Sequence, residues 1–366
     1  MSTLFNADEW HRYTRHIQLP QIGAIGQTKL KNAHVLIVGA GGLGSPVALY
    51  LAAAGVGTIT IIDGDHVELT NLQRQILFNT NDIGHSKALI AKEKLLALNP
   101  EINVKAIEAD FSLENADVLV ERAQLVLDCT DNFETRYLIN DICAAQNKPW
   151  LFASIFQFSG QCALFSPDTA CFRCLFPEMP STALDCNAAG VLGVLPGLLG
   201  TIQANEAIKY LVDLPCPLKN TLLIVEAIEL STKKIRLAKN PECQSCGHHQ
   251  ERKTNKADYN RVCVSDVITE SELSMEQFLL KGADSYQLID VRTPAERAGF
   301  NIGGQHIPLD TLSDNLEKIK TKKELVIVCQ SGVRSAKAVE QLKQAGINSA
   351  SLQGGLAQWL KASIKL

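Results

Sequence analysis

The stretch His-Val-Leu-Ile-Val-Gly-Ala-Gly-Gly-Leu-Gly, residues 34–44, decides the fold of the first part of this chain. Its first five residues, His34–Val38, form a short run of mostly branched apolar residues, which is typical of a buried parallel strand. A glycine-rich turn follows at Gly39–Gly44, and Ser45–Ala54 predicts a helix. Thr58–Ile62 is a second apolar run and ends at Asp63. This order of strand, turn, helix and strand predicts a doubly wound α/β sheet.

The next segments continue the alternation of strand and helix. Charged and apolar residues alternate at helical spacing over Lys87–Asn99, and this pattern stops at Pro100. Leu125–Leu127 is a further short apolar run, and it leads into Asp-Cys-Thr-Asp-Asn at residues 128–132. We therefore expect the fold class of this part to be a Rossmann-like doubly wound sheet.

Length, composition and charge exclude several classes of protein. The chain has 366 residues, of which 46% are hydrophobic and 20% are charged, and this suits two globular domains. We find no apolar run of the roughly 18 residues that a membrane span needs, and no basic segment followed by an apolar one, as in a signal peptide. A net charge of −4 disfavours a general nucleic-acid binder. We expect no membrane, no secretion and no nucleic-acid partner.

The use of cysteine indicates a reducing compartment. The 11 cysteines are an odd number spread over a long chain, whereas a secreted disulfide framework is short, dense and even-numbered. We therefore expect a cytoplasmic protein, in which clustered cysteines bind metal and cysteines in polar loops carry out sulfur chemistry.

A polar segment divides the chain in two. Gly247–Arg261 is polar and charged, and only Ala257 and Tyr259 in it are suited to burial, which is typical of a linker. We predict a first domain at residues 1–247, a linker at 248–264 and a second domain at 265–366, about a hundred residues long.

The glycine turn predicts a nucleotide site, because it matches the pattern G-x-G-x-x-G between a strand and a helix. Glycines at these positions let backbone N–H groups approach a phosphate at the start of the helix; they are Gly39, Gly41, Gly42 and Gly44. Asp63 at the end of the next strand is suited to bind the ribose hydroxyls. The motif alone fits NAD or ATP, and a tight turn without a ligand is the alternative.

The residues after Asp63 favour ATP. Arg74 and Lys87 would neutralise a triphosphate, and Asp131 lies just past a strand, at the edge where doubly wound sheets bind ligands. A carboxylate there can hold Mg²⁺ against the phosphates. Each residue alone is most simply a solvated charge, but as an ordered set they predict a site for ATP and Mg²⁺ rather than for a dehydrogenase cofactor.

From about Trp10 to Gly247 the chain resembles the MoeB/ThiF family. The resemblance is carried by Arg12-Tyr13-x-Arg15, Gly39–Gly44, Ala54-Gly55-Val56-Gly57, Asp63-x-Asp65, Asn71-Leu72-x-Arg74-Gln75, Lys87 and Asp128–Asn132. These relatives of the ubiquitin-activating enzymes use ATP to adenylate the C-terminal glycine of a small ubiquitin-like sulfur-carrier protein. The resemblance implies such a carrier, ending in Gly-Gly, as the partner of this chain.

The resemblance also implies roles for single residues. Asp63 would bind ribose, Asn71, Arg74 and Lys87 would bind phosphates, and Asp131 would bind Mg²⁺. Arg15 corresponds to the family's arginine finger, which reaches the triphosphate from the partner subunit, so a homodimer is implied. The full set expected around the nucleotide is Gly39, Gly41, Gly42, Gly44, Asp63, Asp65, Asn71, Arg74, Gln75, Lys87, Asp131 and Asn132.

Two C-x-x-C pairs predict a structural zinc site. Cys171 and Cys174 form one pair, and Cys243 and Cys246 form the other. Four thiolates in two short turns fit a tetrahedral Zn²⁺, and the family has such a site. A thioredoxin-like redox pair is the alternative, but it would use one C-x-x-C near the start of a βαβ unit.

Cys186 is set apart from these cysteines by its small, polar surroundings, Leu184–Gly190. It corresponds to a loop cysteine that some family members use as a nucleophile, for an acyl or persulfide link to the carrier. A dispensable thiol in a crossover loop is the open alternative. The cysteines with apolar neighbours are most simply core residues: Cys129, Cys143, Cys162 and Cys216.

A second reactive cysteine is predicted in the small domain. Glu324–Val328 predicts a strand, and Ala336–Ala345 predicts a helix. The loop between them is Cys329, Gln330, Ser331, Gly332, Val333, Arg334 and Ser335. Loop N–H groups at such a turn converge on the sulfur and stabilise a thiolate or a persulfide. The loop is one residue shorter than the phosphate loop of phosphatases, so it suits a sulfur atom.

From about Ser265 to Leu366 the chain resembles a rhodanese-like sulfurtransferase domain. Beside the loop, the resemblance is carried by Asp290-Val291-Arg292, Glu296, Gly299, Ile307-Pro308, Gly354-Gly355-Leu356 and Trp359. The chain departs from the family at Phe300, where many members have histidine, and this concerns substrate preference more than activity. An inactive docking module is the alternative.

Together the two domains predict an adenylyltransferase with sulfurtransferase activity. Adenylation would activate the carrier, and a Cys329 persulfide, charged by a donor such as a cysteine desulfurase, would supply the sulfur of a thiocarboxylate. Molybdopterin biosynthesis is the favoured pathway, with thiamine biosynthesis, cysteine biosynthesis and tRNA thiolation as alternatives. An NAD-dependent oxidoreductase and a non-catalytic scaffold are the alternatives from other classes.

Overall fold

The structure is a computed structural model, and it describes residues 5–177, 190–247, 271–282, 285–319, 323–356 and 358–359. The chain divides into two compact units, Met1–Asn260 and Arg261–Leu366. The linker predicted at 248–264 lies outside the described residues, so the predicted domain bounds stay predictions. In the part of the chain that the structure describes, no helix is long and apolar enough to cross a membrane.

The first unit is built on one eight-stranded sheet. Its strands are β1 (His34–Val38), β2 (Thr58–Ile62), β3 (Asn103–Ile107), β4 (Leu125–Asp128), β5 (Trp150–Phe156), β6 (Ser159–Phe165), β7 (Thr221–Glu226) and β8 (Ser231–Arg236). They lie in the order β3-β2-β1-β4-β5-β6-β7-β8. Strands β1 to β5 pair in parallel, and β5 to β8 pair antiparallel. The parallel half is the doubly wound sheet that the glycine-rich segment predicts.

Helices cover this sheet: α1 (Ala7–Ile17), α2 (Gly23–Asn32), α3 (Gly44–Ala54), α4 (Lys87–Leu98), α5 (Ala116–Arg122), α6 (Phe133–Ala145), α7 (Phe172–Leu175) and α8 (Val194–Leu211). Strands β1 and β2 have the predicted bounds, and α3 begins one residue before the prediction. Helix α4 ends one residue early because Asn99 has extended backbone angles, φ −143° and ψ 97°. The residue before a proline is pushed out of the helical region in this way.

The alternation of side chains along β1 creates two apolar cores. Val35 and Ile37 belong to one buried cluster, whereas Leu36 and Val38 belong to another. Successive residues of a strand point to opposite faces of the sheet, so each face is packed against its own layer. Because both faces are covered, the four residues of β1 after His34 are apolar and buried, as the sequence predicts for a buried parallel strand.

The second unit has a five-stranded sheet in which every pairing is parallel. Its strands are β9 (Glu272–Leu273), β10 (Tyr286–Asp290), β11 (Gln305–His306), β12 (Glu324–Val328) and β13 (Ala350–Leu352), and their order is β11-β10-β12-β13-β9. The described helices are α9 (Met275–Lys281), α10 (Pro294–Gly299) and α11 (Val333–Gln344). The mixed α/β architecture predicted for this domain is confirmed.

Helix α11 begins three residues earlier than predicted. Gly332 has a φ of +95°, which turns the chain sharply after the loop, and its carbonyl accepts the first helical hydrogen bond from the Ala336 N–H at 3.0 Å. Val333, Arg334 and Ser335 therefore belong to the first turn of the helix rather than to a free loop. This places their backbone N–H groups at the positive end of the helix dipole.

Candidate functional site

A cleft of about 440 Å³ opens at the carboxyl ends of the parallel strands of the first unit. It lies where the strand order reverses between β1 and β4, the usual ligand position in such sheets. The structure brings most of the predicted nucleotide residues to its walls: Gly39, Gly41, Gly42, Asp63, Asp65, Arg74, Gln75, Lys87, Asp131 and Asn132. Gly44, Asn71 and Arg15 are not among the lining residues.

The glycine turn is shaped by two close backbone contacts. Gly39 has a φ of +93°, and a Cβ there would lie 2.8 Å from the carbonyl oxygen of Cys129. A Cβ at Gly44 would lie 2.1 Å from the carbonyl oxygen of Gly39, so Gly44 packs within the turn and does not reach the cleft. At Gly41 the nearest atom would be 3.7 Å away, the amide nitrogen of Gln75. Gly41 therefore leaves open the space that a phosphate would need.

Asp63 is held rigidly between the glycine turn and the end of β2. Its carboxylate accepts the N–H of Ala40 at 2.7 Å and the N–H of Asp65 at 2.8 Å. Burial raises the pKa of Asp63, although these two N–H groups and the charge of Lys87 act in the opposite direction. The carboxylate is oriented by backbone donors, as a group that positions ribose hydroxyls needs to be.

Lys87 and Arg74 bring positive charge to the cleft. The Lys87 side chain is 6% exposed, and its Nζ contacts the exposed carboxylate of Asp65 at 2.7 Å. The Arg74 guanidinium donates to the Thr70 carbonyl oxygen at 3.1 Å. Both cations are thus anchored at the wall before any ligand arrives, which reduces the reorganisation that binding a triphosphate requires.

Asn71 has a supporting position. Its side-chain carbonyl accepts the N–H of Glu68 at 3.1 Å, which caps the short 3₁₀ helix Leu69–Asn71. This helix leads directly to Arg74, whose N–H donates to the Asn71 carbonyl oxygen at 3.0 Å. The contact with phosphate that the resemblance implies for Asn71 therefore stays a prediction.

A buried ion pair holds the segment that carries Asp131 and Asn132. The Arg136 Nε donates to Asp128 at 2.9 Å, and the side chains are 5% and 0% exposed. Arg136 also donates to the Thr130 carbonyl oxygen at 3.1 Å. The side chain of Asn132 accepts the N–H of Thr135 at 2.8 Å and so begins helix α6. Asp131 lies between these anchors, at the wall of the cleft.

Several cleft residues were not found by sequence reasoning. They are Ala109, Asp110 and Phe111 after β3, together with Thr135, Arg136, Ile155, Val191 and Pro196. The residues after β3 had a usable signal, because all parallel strands of a sheet end at the same edge. Thr135 and Arg136 lie on α6, and Ile155 lies on β5 in its antiparallel pair with β6. Val191 lies just before α8 and Pro196 lies on it, and no local pattern marks any of these residues.

The four predicted zinc ligands lie together. Cys171 Sγ is 3.8 Å from Cys174 Sγ and 3.5 Å from Cys243 Sγ, and Cys174 Sγ is 3.4 Å from Cys246 Sγ. All four sulfurs lie within 4.8 Å of one another. A tetrahedral ion with Zn–S bonds of about 2.3 Å separates its sulfurs by about 3.8 Å. The residues therefore fit a structural Zn²⁺.

Outer contacts orient the cysteine cluster. Asp141 receives three hydrogen bonds from Arg173, at 2.8, 3.1 and 2.7 Å, and one from Ser245. Arg173 and Ser245 lie within the two C-x-x-C turns, so Asp141 ties both turns to helix α6. The Asn240 N–H donates to Cys174 Sγ at 3.4 Å, and such a donor offsets the charge of a metal-bound thiolate.

The other cysteines of the first unit have the predicted character. Cys129, Cys143 and Cys162 are buried, and Cys216 is half-buried. Burial raises the pKa of Cys143 and of Cys162 well above the ordinary value of a thiol, so these thiols stay neutral. Cys186, the predicted second nucleophile, lies outside the described residues.

In the second unit the loop after β12 surrounds the sulfur of Cys329. Cys329 is 0% exposed. Its Sγ accepts the N–H of Gly332 at 3.1 Å and the N–H of Ser335 at 3.4 Å. The converging N–H groups that the sequence predicts are therefore present, and they favour a negative charge on the sulfur.

Arg334 is bound to Glu296 through both of its terminal nitrogens, at 2.8 and 2.6 Å. Burial alone would raise the pKa of Glu296, but hydrogen bonds from Arg334 and Thr293 outweigh it and lower the pKa to about 2. Glu296 also accepts the Thr293 N–H at 2.9 Å at the start of α10. This ion pair joins the helix after Cys329 to the segment after β10.

A second, fully buried pair supports the same loop. Arg292 contacts Asp290 at 2.8 Å, and both side chains are 1% exposed. Arg292 also donates to the Gln330 side chain at 3.3 Å and to the Phe300 carbonyl oxygen at 2.6 Å. The Asp290 side chain turns back to accept the Arg292 N–H at 3.0 Å, just past the end of β10 at Asp290.

The fold and these sites define a protein that joins a nucleotide-binding α/β domain to a small sulfurtransferase-type domain. The chain belongs to the ThiF family, whose model matches residues 13–245. A rhodanese-like domain matches residues 277–362. Both resemblances predicted from the sequence are confirmed.

Relatives with assigned names cover either nearly all of the chain or its first domain. It is 38% identical to the probable adenylyltransferase/sulfurtransferase MoeZ of Mycobacterium tuberculosis. That alignment of 382 residues covers 98% of this chain and 95% of the relative. It is 44% identical to the sulfur carrier protein adenylyltransferase of Thermus thermophilus. That alignment of 264 residues covers 70% of this chain and 97% of the relative. The solved structure of MccB of E. coli with ATP has a TM-score of 0.57 at 27% identity, covering 68% of this chain and 77% of that chain.

These likenesses identify the chain as an enzyme, an adenylyltransferase with sulfurtransferase activity, as the sequence predicts. The alternative of an NAD-dependent oxidoreductase is thereby set aside. Use of ATP follows from the family.

Replacing Cys171 or Cys243 by serine should remove bound zinc and lower the melting temperature. Each change takes away one of four ligands, and about one zinc per chain is expected in the parent protein. Elemental analysis and calorimetry measure the two effects. Cys216→Ser, outside the cluster, is the matched control. Unchanged zinc in both ligand variants would disprove the four-thiolate site.

Acid should weaken the second unit through Glu296. Because its folded pKa of about 2 lies below the ordinary value of 4.5, the ionised carboxylate stabilises the fold above about pH 4.5. That contribution is lost as the pH falls toward 2. We expect the melting temperature to fall less between pH 5 and pH 3 in Glu296→Gln than in the parent protein and in the exposed control Glu317→Gln. Equal losses in all three proteins would contradict this role.

Proposed function

We propose that this enzyme adenylates the C-terminal glycine of a ubiquitin-like sulfur-carrier protein and then converts it to a thiocarboxylate with sulfur from a Cys329 persulfide. The observation that carries the proposal is the occurrence, in one chain, of a cleft lined by a glycine turn, Lys87 and Arg74 and of a cysteine whose sulfur accepts two backbone N–H groups. An activated acyl group and a nucleophilic sulfur are complementary reactants. The names of the relatives MoeZ and sulfur carrier protein adenylyltransferase support it.

Adenylation would take place in the cleft of the first unit. An oxygen of the carrier's carboxylate attacks the α-phosphorus of ATP, and pyrophosphate leaves with the electrons of the broken P–O bond. Lys87 and Arg74 would balance the growing charge on the phosphates, while Asp63 would orient the ribose. Mg²⁺, held by Asp131, would supply additional positive charge to the triphosphate.

Sulfur transfer would begin when Cys329 takes a sulfur atom from a protein persulfide, such as that of a cysteine desulfurase. The terminal sulfur of the Cys329 persulfide then attacks the carrier's acyl adenylate and AMP leaves, which gives an acyl disulfide. A second thiolate must attack the Cys329 sulfur of that S–S bond to release the thiocarboxylate, and the disulfide formed is later reduced by a cellular thiol. Cys186 is our candidate for this second thiol.

The finer assignments are part of the same proposal. Arg15 is exposed near the end of α1 and does not line the cleft of its own chain, which agrees with a role in the cleft of a partner subunit in a homodimer. Molybdopterin biosynthesis is the pathway we favour, because the order of the two domains is that of the fused enzymes of molybdopterin synthesis. The same order in tRNA thiolation, and the same activating domain in thiamine and cysteine biosynthesis, are the alternatives. We place the enzyme in the cytoplasm.

Asp131→Ala should abolish Mg²⁺-dependent release of pyrophosphate without unfolding the protein. The residue lies at the wall of the cleft between two anchored neighbours, so its removal takes away a metal ligand but no core contact. A coupled pyrophosphate assay with a carrier ending in Gly-Gly measures the loss, which we expect to exceed 100-fold. The exposed Asp117→Ala is the control. Retained activity would remove Asp131 from the site.

Cys329→Ala should stop formation of the thiocarboxylate and leave adenylation intact. Each small host carrier that ends in Gly-Gly is mixed with the enzyme, Mg-ATP and a persulfide donor, and its intact mass is followed. In the parent protein and in the control Cys216→Ala we expect a gain that matches one oxygen replaced by sulfur. The variant should yield the AMP adduct alone. If no host carrier changes mass and no pyrophosphate is released, the protein is a scaffold rather than this enzyme.

A further inference from the structure

Two buried hydroxyl groups form a chain that ends at the Cys329 sulfur. Ser335 Oγ lies 3.4 Å from Cys329 Sγ and 2.8 Å from the Oγ of Ser351. Ser335 is 0% exposed and Ser351 is 1% exposed. Ser351 lies on β13, the neighbour of β12 in the sheet, so it reaches the reactive loop from outside it.

The number of protons limits how this chain can be arranged. Each hydroxyl has one proton to donate. While Cys329 is a thiol, its S–H can donate to Ser335 Oγ, and the Ser335 proton can go to the Gly332 carbonyl oxygen at 2.9 Å. A thiolate or persulfide anion can only accept hydrogen bonds, so its formation favours a Ser335 proton that points to the sulfur.

Ser335 can turn in this way at little cost. The Gly332 carbonyl oxygen keeps the hydrogen bond from the Ala336 N–H at 3.0 Å, so it is not left without a partner. Ser351 can then donate to Ser335 Oγ, which leaves the Ser335 proton free for the sulfur. Hydrogen bonds arranged in such a series strengthen one another. Without the Ser351 hydroxyl, the buried Ser335 oxygen would lack this donor.

We propose that Ser351 is a positioning residue for the chemistry of Cys329, and that it acts by donating to Ser335 and so aims the Ser335 hydroxyl at the anionic sulfur. This inference rests on the proposed function, in which Cys329 carries the sulfur. It assigns a role to a residue that lies outside the loop motif and has no signal of its own in the sequence.

The charges around Cys329 are the same in every serine variant. Arg334 of α11 is bound to Glu296 of α10, and Arg292 is bound to Asp290 of β10. Arg297 of α10 also lies 3.4 Å from Asp290. None of these ion pairs involves a serine hydroxyl, so a difference between variants reports on the hydroxyl chain and not on the ion pairs.

The test measures how fast iodoacetamide alkylates Cys329 in the full chain at different pH values. Mass spectrometry of the peptide that contains Cys329 separates this thiol from the others. In Ser335→Ala we expect the pH of half-maximal rate to rise by about one unit, the size expected for one lost hydrogen bond to an anion. In Ser351→Ala we expect a smaller rise in the same direction, because Ser335 keeps its contact with the sulfur but loses the donor that orients its hydroxyl. Ser351→Thr, which keeps the hydroxyl, should retain the parent profile.

A double variant distinguishes a relay from two separate effects. Because Ser351 is proposed to act through Ser335, adding Ser351→Ala to Ser335→Ala should shift the profile no further than Ser335→Ala alone. An unchanged profile in Ser351→Ala, or shifts that add in the double variant, would overturn the proposal. Thermal unfolding measurements show whether each variant is folded. If Ser351→Ala is not folded, Ser351→Cys replaces it, because a thiol is a weaker hydrogen-bond donor of similar size.

The experiment is independent of the proposed function. Alkylation needs neither ATP nor a carrier, so the profiles test the hydroxyl chain directly. If the parent protein makes a thiocarboxylate on none of the carriers, the proposed function is wrong. The effect of Ser351 on the reactivity of Cys329 is decided by the pH profiles alone.

Discussion

The nucleotide cleft depends on a contact between two backbone segments that leaves no room for a side chain. A Cβ on Gly39 would lie 2.8 Å from the Cys129 carbonyl oxygen, closer than a real Cβ can approach. This contact brings the turn after β1 beside the segment after β4. Those segments carry the glycines that leave space for phosphate and the acidic Asp131. The contact therefore sets how close the glycine turn and the segment that carries Asp131 lie to each other in the cleft.

Buried ion pairs then hold the functional loops of both units by the same physical means. Asp128 ends β4 and binds Arg136, which also holds the Thr130 carbonyl oxygen. Asp290 ends β10 and binds Arg292, which also holds the Gln330 side chain. Such pairs contribute little net stability, since desolvation offsets most of their attraction, but removing one partner costs several kcal/mol. Their main effect is to give each loop one conformation.

Much of the fold could be predicted because its signals are local. The bounds of β1, β2 and β12 follow from apolar runs, and the end of α4 follows from Pro100 within one residue. The predicted start of α11 was three residues too late. Gly332 turns the chain there through its positive φ, and the pattern of apolar residues does not indicate a backbone angle. The residues after β3 and the antiparallel hairpin reach the cleft only through strand order, so their part in it was not predicted.

The sequence by itself determined the fold class, the family, the four cysteines suited to zinc and the cysteine of the second domain, because each is encoded by residue types at fixed short spacing. Only the tertiary structure decided which other distant groups meet. Arg334 and Glu296 are 38 residues apart, and Ser351 is 16 residues from Ser335 and lies on strand β13. Contacts of this kind depend on how strands are ordered in a sheet, and that order results from the packing of the whole domain rather than from any one segment.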